Sequence, residues 1–449
     1  MNVKDLALYA ITDRSWLKTG ESLEDAVASA ILGGASIVQL REKDLTGPDL
    51  KALALKIQAV CRRFHIPFII NDNVLLAAEI NADGAHVGAS DMALTDARKL
   101  LGPNKILGAT AKTIEQAKSA EKAGADYLGS GAIFGTSTKK DAKPMSMELL
   151  QDICSSVKIP VVAIGGIEES NISKFKKLPL AGAAVVSGIF AQEDYYKTAR
   201  RLRILLHGKP IVHSITNTIT INDVANILHA VGASPIMSVD PHEVEEVQTN
   251  SDALLINLGA IKDLASMKLA YKKALDAGHP IVIDPVGCAG NSYRRACLQE
   301  LLQICSPSCI RGNYSEIAAI AASANLARGL DGSAPLTEET LLSLSKRLDS
   351  MIVASGEIDF LSDGQSLLMV ESGSPLQASI TGSGCMLSGV LAAECAFAGK
   401  DHITLERLAE SCRFYGDTAK YAEAYIKENH LGTMSFKLKF MDEISKRIL

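Results

Sequence analysis

The stretch "SIVQLREKDLTGPDLKALALKIQAVCRRFHIPFIINDN", Ser36 to Asn73, reads as one structural unit. A β-branched run, Ser36–Leu40, carries Gln39 near its end and is followed by Arg41 and Lys43. The amphipathic pattern "GPDLKALALKIQAVCRRF" comes next, and a second apolar run, Pro67–Asn71, ends on Asn71 and Asp72. Strand, helix, strand is a crossover unit whose two strands must lie parallel. The polar residues then gather at the same end of both strands.

The unit recurs along the first half of the chain. Leu6–Thr12, Ser36–Leu40, Pro67–Asn71, Gly84–Val87, Lys105–Ala109, Tyr127–Ser130, Val161–Ile164 and Ala183–Ser187 are strand-like, with helical patterns such as "TIEQAKSAEKAGA" between most of them. This alternation predicts an α/β fold, a (β/α)8 TIM barrel. Asp91 follows the fourth strand, Thr110 the fifth and "FGTSTKKD" the sixth, while Gly165, Gly166, Ser187 and Gly188 end the last two. All of these belong to the C-terminal mouth, where barrels of this kind place their active sites. Glycine-rich strand ends expose amides to a phosphate, and Arg41, Lys43 and Lys139 supply charge for more than one. Asp72 and Asp91 would repel those anions unless a divalent cation joined them, and oxygen ligands beside phosphate favour Mg²⁺. Pairing of the two aspartates with Arg41 and Lys43 is the alternative without a metal.

"VQLREK" (Val38 to Lys43), "IINDN" (Ile69 to Asn73), "DGAHVGASD" (Asp83 to Asp91), "GTSTKKD" and "AIGGI" together resemble thiamine-phosphate synthase over about residues 5 to 200. The resemblance implies that Gln39, Leu40, Arg41, Glu42, Lys43, Asn71, Thr110 and Lys139 bind an aminopyrimidine-methyl diphosphate. It implies that Asp72 and Asp91 hold Mg²⁺, and that Thr136, Ser137, Thr138, Gly166, Val186 and Ser187 bind a thiazole phosphate. In "GASD" the glutamine expected after the glycine is missing, which leaves Asp91 unaffected.

The rhythm changes near "ARRLRILLHGKPIVHSITN", where a helix runs out at about Leu206 and a strand starts at Ile211. This predicts two domains, 1–206 and 207–449, with no Gly/Ser/Pro linker between them. "ALLINLG", "PIVIDPVG", "CIRGNYSE" and "SMIVASGEIDFLSDG" are apolar strands separated by helices, as in a sheet covered on both faces. Asp284, Arg311, Asn313, Glu316 and Ser355 collect past their ends. In "ITGSGCMLSG", Ile380 to Gly389, the small residues Thr381 to Gly384 turn into a helix beginning near Cys385. Amides at such a turn form an anion hole for a transferring phosphoryl group, and the lysine of a Walker A loop is absent. A thiol at a helix N-terminus is expected to ionise readily and to take a proton from an attacking alcohol. A cysteine chosen for its size would fit the stretch equally.

"VHSITN" (Val212 to Asn217), "GASPIM" (Gly232 to Met237), "DPVG", "RGNYSE" and "TGSGC" resemble hydroxyethylthiazole kinase, of the ribokinase-like fold, over about residues 208 to 445. That resemblance implies thiazole contacts at Met237 and Gly382, and ATP contacts at Arg311 and Ser355. It further implies a Mg²⁺ shell at Asp284 and Glu316 and a catalytic Cys385; Ser355 replaces the threonine expected there. Such kinases are typically trimers, so a homo-oligomer, trimer or hexamer, is expected. The two halves fit one pathway step after another, with the kinase making the thiazole phosphate that the barrel consumes. A sugar-phosphate barrel fused to a sugar or pyridoxal-type kinase would need a Schiff-base lysine or an acid/base pair in the barrel, and the strand interiors show none. A sensor with dead sites would not keep "QLREK", the aspartate pair and the anion hole.

A net charge of -5 and the lack of basic runs exclude nucleic acid as the expected partner. The apolar runs are strand-sized, so no membrane span is expected, and "MNVKDLALYAIT" enters a strand without a leader pattern. The nine cysteines contain no CxxC, and "CSPSC" (Cys305 to Cys309) has no second pair to complete a metal site. A reducing, cytoplasmic setting is the expectation.

Overall fold

Eight parallel strands close a barrel in the first unit: β1 (Leu8–Ile11), β2 (Ile37–Leu40), β3 (Phe68–Asn71), β4 (Gly84–Val87), β5 (Ile106–Thr110), β6 (Tyr127–Gly131), β7 (Val161–Ile164) and β8 (Gly182–Val185). The computed structural model describes residues 3–135, 144–323 and 336–448. Its contacts divide the chain into Met1–Gly208 and Lys209–Leu449.

The helix between β2 and β3, Gly47–Arg63, shows why the sequence folds this way locally. Pro48 sits in its first turn, where no N–H is needed, and Arg62 and Arg63 sit in its last, against the negative dipole end. Ala54, Ile57, Gln58 and Cys61 are buried at helical spacing against the barrel. Strand pleating sorts the rest. Val38, Leu40, Phe68, Ile70, Leu107 and Ala109 pack outward against the helices. Tyr9, Ile11, Ile37, Ile69, Tyr127, Val162 and Ala184 point into the lumen. β8 is shorter than expected because Val186 leaves the extended conformation and caps a short helix, Ser187–Phe190. β5 runs one residue further, so Thr110 belongs to the strand itself.

The second unit is built on one eight-stranded sheet. Its strands are β9 (Ile211–Ile215), β10 (Ser234–Ile236), β11 (Ala253–Asn257), β12 (Ile281–Asp284), β13 (Cys309–Asn313), β14 (Met351–Ser355), β15 (Asp359–Ser362) and β16 (Leu367–Val370). The order is β10-β9-β11-β12-β13-β14-β15-β16, parallel as far as β14 and antiparallel beyond it. Both faces are apolar: Ala253, Leu255 and Val353 pack on one side, Leu254, Ile256 and Ile352 on the other. The segment read from sequence as one strand, Ser350 to Gly364, is instead two antiparallel strands. Gly356 begins the turn between them, and its N–H is held by Asp359 Oδ1 at 3.1 Å. Among the described residues no helix is long and apolar enough to cross a membrane.

Candidate active sites

The pleat that faces Tyr9 and Tyr127 inward also delivers Gln39, Asn71, His86 and Thr110 into a cavity at the barrel mouth. Arg41, Asp72, Lys112, Gly166, Val186 and Ser187 also line it. Asp72 has φ 63°, and Asn71 Nδ2 donates to its Oδ2 at 2.6 Å. Gly166 has φ 65°, and a Cβ there would lie 2.4 Å from the Gly135 carbonyl oxygen, so only glycine fits. Asn171 Nδ2 holds this turn by donating to the Gly166 carbonyl at 2.8 Å.

Other residues named from sequence lie elsewhere. Leu40 is in the outer core, because the alternation that turns Gln39 inward turns its neighbour outward, so its side chain takes no part in the cavity. Glu42 accepts from Arg14 and from the amides of Lys43 and Asp44, at 2.9 and 3.0 Å for the amides. Burial opposes its charge, yet Arg14 and those amides hold its carboxyl below the usual range. It shapes the loop after β2, on which Lys43 is exposed outside the cavity lining. Asp91 is also outside the lining, but its Oδ2 accepts from the backbone N–H of Gly88, a lining residue, at 2.6 Å. Thr136, Ser137, Thr138 and Lys139 lie outside the described residues. Sequence reasoning missed Tyr9, His86, Lys112 and Tyr127.

A second cleft, of about 1160 Å³, opens at the strand ends of the other unit. It exceeds the 300–1,000 Å³ typical of a single small-molecule site, leaving room for two reactants. Asp284, Arg311, Glu316, Ser355, Gly382 and Cys385 all line it. Met237 does not; it packs half-buried against the core.

The helix at the cleft is Ser383–Ala398, two residues longer at its start than the sequence suggested. Gly382 caps it with φ 87° and no side-chain bond, leaving the first amides open to a ligand. A Cβ on Gly384 would lie 2.5 Å from Arg311 Nη1, so the guanidinium rests against the helix's first turn. Arg311 also donates to Ser355 Oγ, and its Nε is buried without a partner. Helix N-terminus and guanidinium therefore offer two positive groups to one anion.

Asn257 organises the neighbouring carboxylate and thiol. Its Oδ1 accepts from Gly259 N at 2.8 Å, which fixes the amide, and its Nδ2 donates to Asp284 Oδ2 at 3.0 Å and Cys385 Sγ at 3.2 Å. Asn217 Nδ2 approaches the same sulfur at 3.8 Å. Burial, with Glu316 adding, pushes the Asp284 carboxyl up to about 6 against the pull of Arg311. Glu316 itself has both oxygens engaged, by Gly287 N and Asn313 N, each at 2.9 Å. The expectation of a readily ionised Cys385 is overturned. Burial and then the Asp284 charge push the thiol up to about 11, because desolvation outweighs the partial charge of the helix end. Asn257 could have been found from "ALLINLG", where it is the only polar side chain in an apolar strand.

Comparison with known proteins is consistent across both units. Residues 202–448 match the hydroxyethylthiazole kinase family and residues 8–189 match thiamine monophosphate synthase. A probable thiamine biosynthetic bifunctional enzyme of Schizosaccharomyces pombe is 30% identical, covering 89% of this chain and 86% of that protein. The thiamine biosynthetic bifunctional enzyme of Saccharomyces cerevisiae is 30% identical over 98% of this chain and 95% of its own length. Thiamine-phosphate synthase of Clostridium tetani is 46% identical over 44% of this chain, covering 94% of that protein.

Proposed function

Since this chain belongs to the bifunctional thiamine-biosynthesis enzymes, its first half a thiamine-phosphate synthase and its second a hydroxyethylthiazole kinase, we propose that the two clefts carry these two activities. The kinase half phosphorylates 4-methyl-5-(2-hydroxyethyl)thiazole with ATP. The synthase half joins the thiazole phosphate to 4-amino-2-methyl-5-hydroxymethylpyrimidine diphosphate, releasing diphosphate. The mostly parallel sheet covered on both faces supports a ribokinase-like assignment for the second domain, 207–449, following a TIM-barrel first domain, 1–206.

In the barrel, the pyrimidine's C–O bond to diphosphate breaks and a C–N bond to the thiazole nitrogen forms. Electron donation from the aminopyrimidine ring stabilises the cationic carbon, so no protein nucleophile is required. Arg41 and Lys112, both at the rim, stabilise the departing diphosphate electrostatically. Gln39, Asn71 and Thr110 orient the pyrimidine, and Gly166, Val186 and Ser187 receive the thiazole phosphate. In the kinase, the open amides after Gly382 hold the transferring phosphoryl group beside Arg311, and Ser355 fixes that guanidinium. Asn257 holds Cys385 beside Asp284, so that the thiol can take the substrate hydroxyl's proton as it passes its own to the carboxylate.

Mg²⁺ fits the donor sets. Asp284 is fully buried with Oδ1 lacking a partner, and Asp72 and Asp91 are oxygen donors next to an anion site. Among the described residues no three metal-ligating side chains cluster, so phosphate oxygens must complete any shell, as Mg²⁺ commonly requires. Bound there, the ion would neutralise phosphate charge. Glu316, each oxygen holding one amide and keeping a further lone pair, stands beside this shell. Ile219, 77% exposed at the kinase cleft, supports a homo-oligomer in which a neighbour covers it. Nine unpaired thiols support a cytoplasmic setting.

The observation that carries this reading is the helix end without a side-chain cap, faced by Arg311 and by the Asn257–Asp284–Cys385 cluster. The test is a coupled assay with thiazole alcohol, ATP, Mg²⁺ and the pyrimidine diphosphate. Thiamine phosphate is the expected product, and its absence with all four present defeats the reading. Gly384→Ala should push Arg311 off the helix end and lower thiazole phosphorylation about 10- to 100-fold, the worth of one charged hydrogen bond. Steady-state kinetics would show this with synthase activity kept; an unaffected kinase would remove Arg311 from the phosphate site.

A further inference from the structure

Five side chains cross the floor of the barrel lumen in an unbroken line. Gln39 Nε2 donates to Tyr9 Oη at 2.8 Å, and Tyr9 Oη lies 2.7 Å from Tyr127 Oη. Tyr127 Oη lies 3.0 Å from His86 Nδ1, and His86 Nε2 lies 3.0 Å from Thr110 Oγ1. The strands have made room for it: a Cβ on Gly108 would fall 2.3 Å from Tyr127 Oη and 2.5 Å from His86 Nδ1. Both ends of the line, Gln39 and Thr110, face the cavity.

The line has a direction. Tyr9 is 1% exposed and Tyr127 is fully buried, so a phenol proton without an acceptor would be costly at either. With Gln39 donating to Tyr9, the Tyr9 proton goes to Tyr127, and the Tyr127 proton goes to His86 Nδ1. A neutral imidazole accepting at Nδ1 carries its proton on Nε2 and gives it to Thr110. Thr110 Oγ1, already an acceptor on one side, has its own proton left for the cavity. Gln39, with one of its two amide N–H groups given to Tyr9, has its carbonyl oxygen left for the cavity. Burial raises both phenol pKa values, which keeps the two protons in place.

We infer that Tyr9, Tyr127 and His86 are positioning residues, a one-way hydrogen-bond relay that makes Gln39 an acceptor and Thr110 a donor toward the ring of the pyrimidine substrate. An aminopyrimidine carries the matching pair, an amine that donates and ring nitrogens that accept. The inference rests on the synthase reading of the barrel and deepens it. Run in reverse, the relay would put the proton on His86 Nδ1, spend the Thr110 hydroxyl inside the line and turn the Gln39 amide N–H to the ligand.

Nuclear magnetic resonance of the full-length chain with ¹⁵N-labelled histidine decides the direction, the His86 signal being assigned by its loss in His86→Gln. The Nε2–H tautomer is expected, and the Nδ1–H tautomer overturns the relay. Tyr127→Phe should leave His86 without a fixed tautomer. It should also raise KM for the pyrimidine diphosphate about 5- to 10-fold, as for one lost buried hydrogen bond. KM for thiazole phosphate and the kinase activity should not change. Tyr9→Phe serves as a second variant should the first fold poorly: it frees Gln39 and raises the same KM, while Tyr127 still fixes the tautomer. An unchanged KM in the folded variants overturns the positioning role. Because the tautomer is read without substrate, a wild-type protein making no thiamine phosphate would defeat the synthase reading while the relay was still decided.

Discussion

Cys385→Ala is expected to lower thiazole phosphorylation about 10²- to 10⁴-fold, the range for loss of a positioned proton acceptor, and to leave ATP affinity within about twofold. The two effects separate because different atoms are responsible. On the proposed reading, phosphate affinity comes from the open amides after Gly382 and from Arg311, none of which the substitution removes. The sulfur, by contrast, lies where Asn257 Nδ2 aims a proton at it and Asp284 stands on the other branch of the same amide. At a pKa of about 11 only about one thiol in 10⁴ is ionised at pH 7, so Cys385 can take the hydroxyl proton only as its own proton passes on, and the neighbouring Asp284, its carboxyl pushed up to about 6, is the group placed to receive it. Measuring kcat and KM for both substrates checks this. Wild-type turnover in the alanine variant would reduce Cys385 to a packing residue.

Asp91→Ala should cut thiamine-phosphate formation about 10²- to 10³-fold while thiazole phosphorylation stays at the wild-type rate. The magnitude is that of several kcal/mol of charge stabilisation lost from a diphosphate leaving group. Two roles are possible for this carboxylate, since its Oδ2 also ties down the Gly88 amide at 2.6 Å. Asp91→Asn tells them apart, because the amide oxygen keeps the bond to Gly88 and loses the charge. Equal damage in both variants, partly relieved by higher Mg²⁺, identifies the charge as what matters. Full activity in the asparagine variant would leave Asp91 as a loop anchor.

Much of this was legible from period-two and period-3.6 patterns alone. The polar strand ends located both mouths, because a residue at the C-terminal end of a barrel or parallel-sheet strand has nowhere else to go. Three kinds of information were not local. Tyr9, His86 and Tyr127 look like ordinary core residues in sequence, and only closure of the barrel brings strands one, four and six around one lumen. Glu316 reads from sequence as part of a cation shell, and only the fold reveals that its two oxygens also hold the amides of Gly287 and Asn313. Cys385 misled differently. The helix start is visible in the glycines, but its burial depends on Asn217, Asn257 and Asp284, from three distant segments. The Ser350 to Gly364 stretch was long enough for one strand, and the turn at Gly356 needed partners on either side to declare itself.

The strict inward–outward beat of the barrel strands has a consequence for how this half can change over generations. Inward positions fill the lumen or line the cavity and outward positions serve a helix, so the two sets answer to separate pressures and can drift independently by point substitution. Removal or gain of one residue within β2 is another matter. It would exchange Gln39 with Leu40, plugging the pocket with leucine and driving an amide into the greasy outer shell at the same stroke. Length variation is therefore confined to the loops, and new substrate preferences in this barrel would have to arise one side chain at a time.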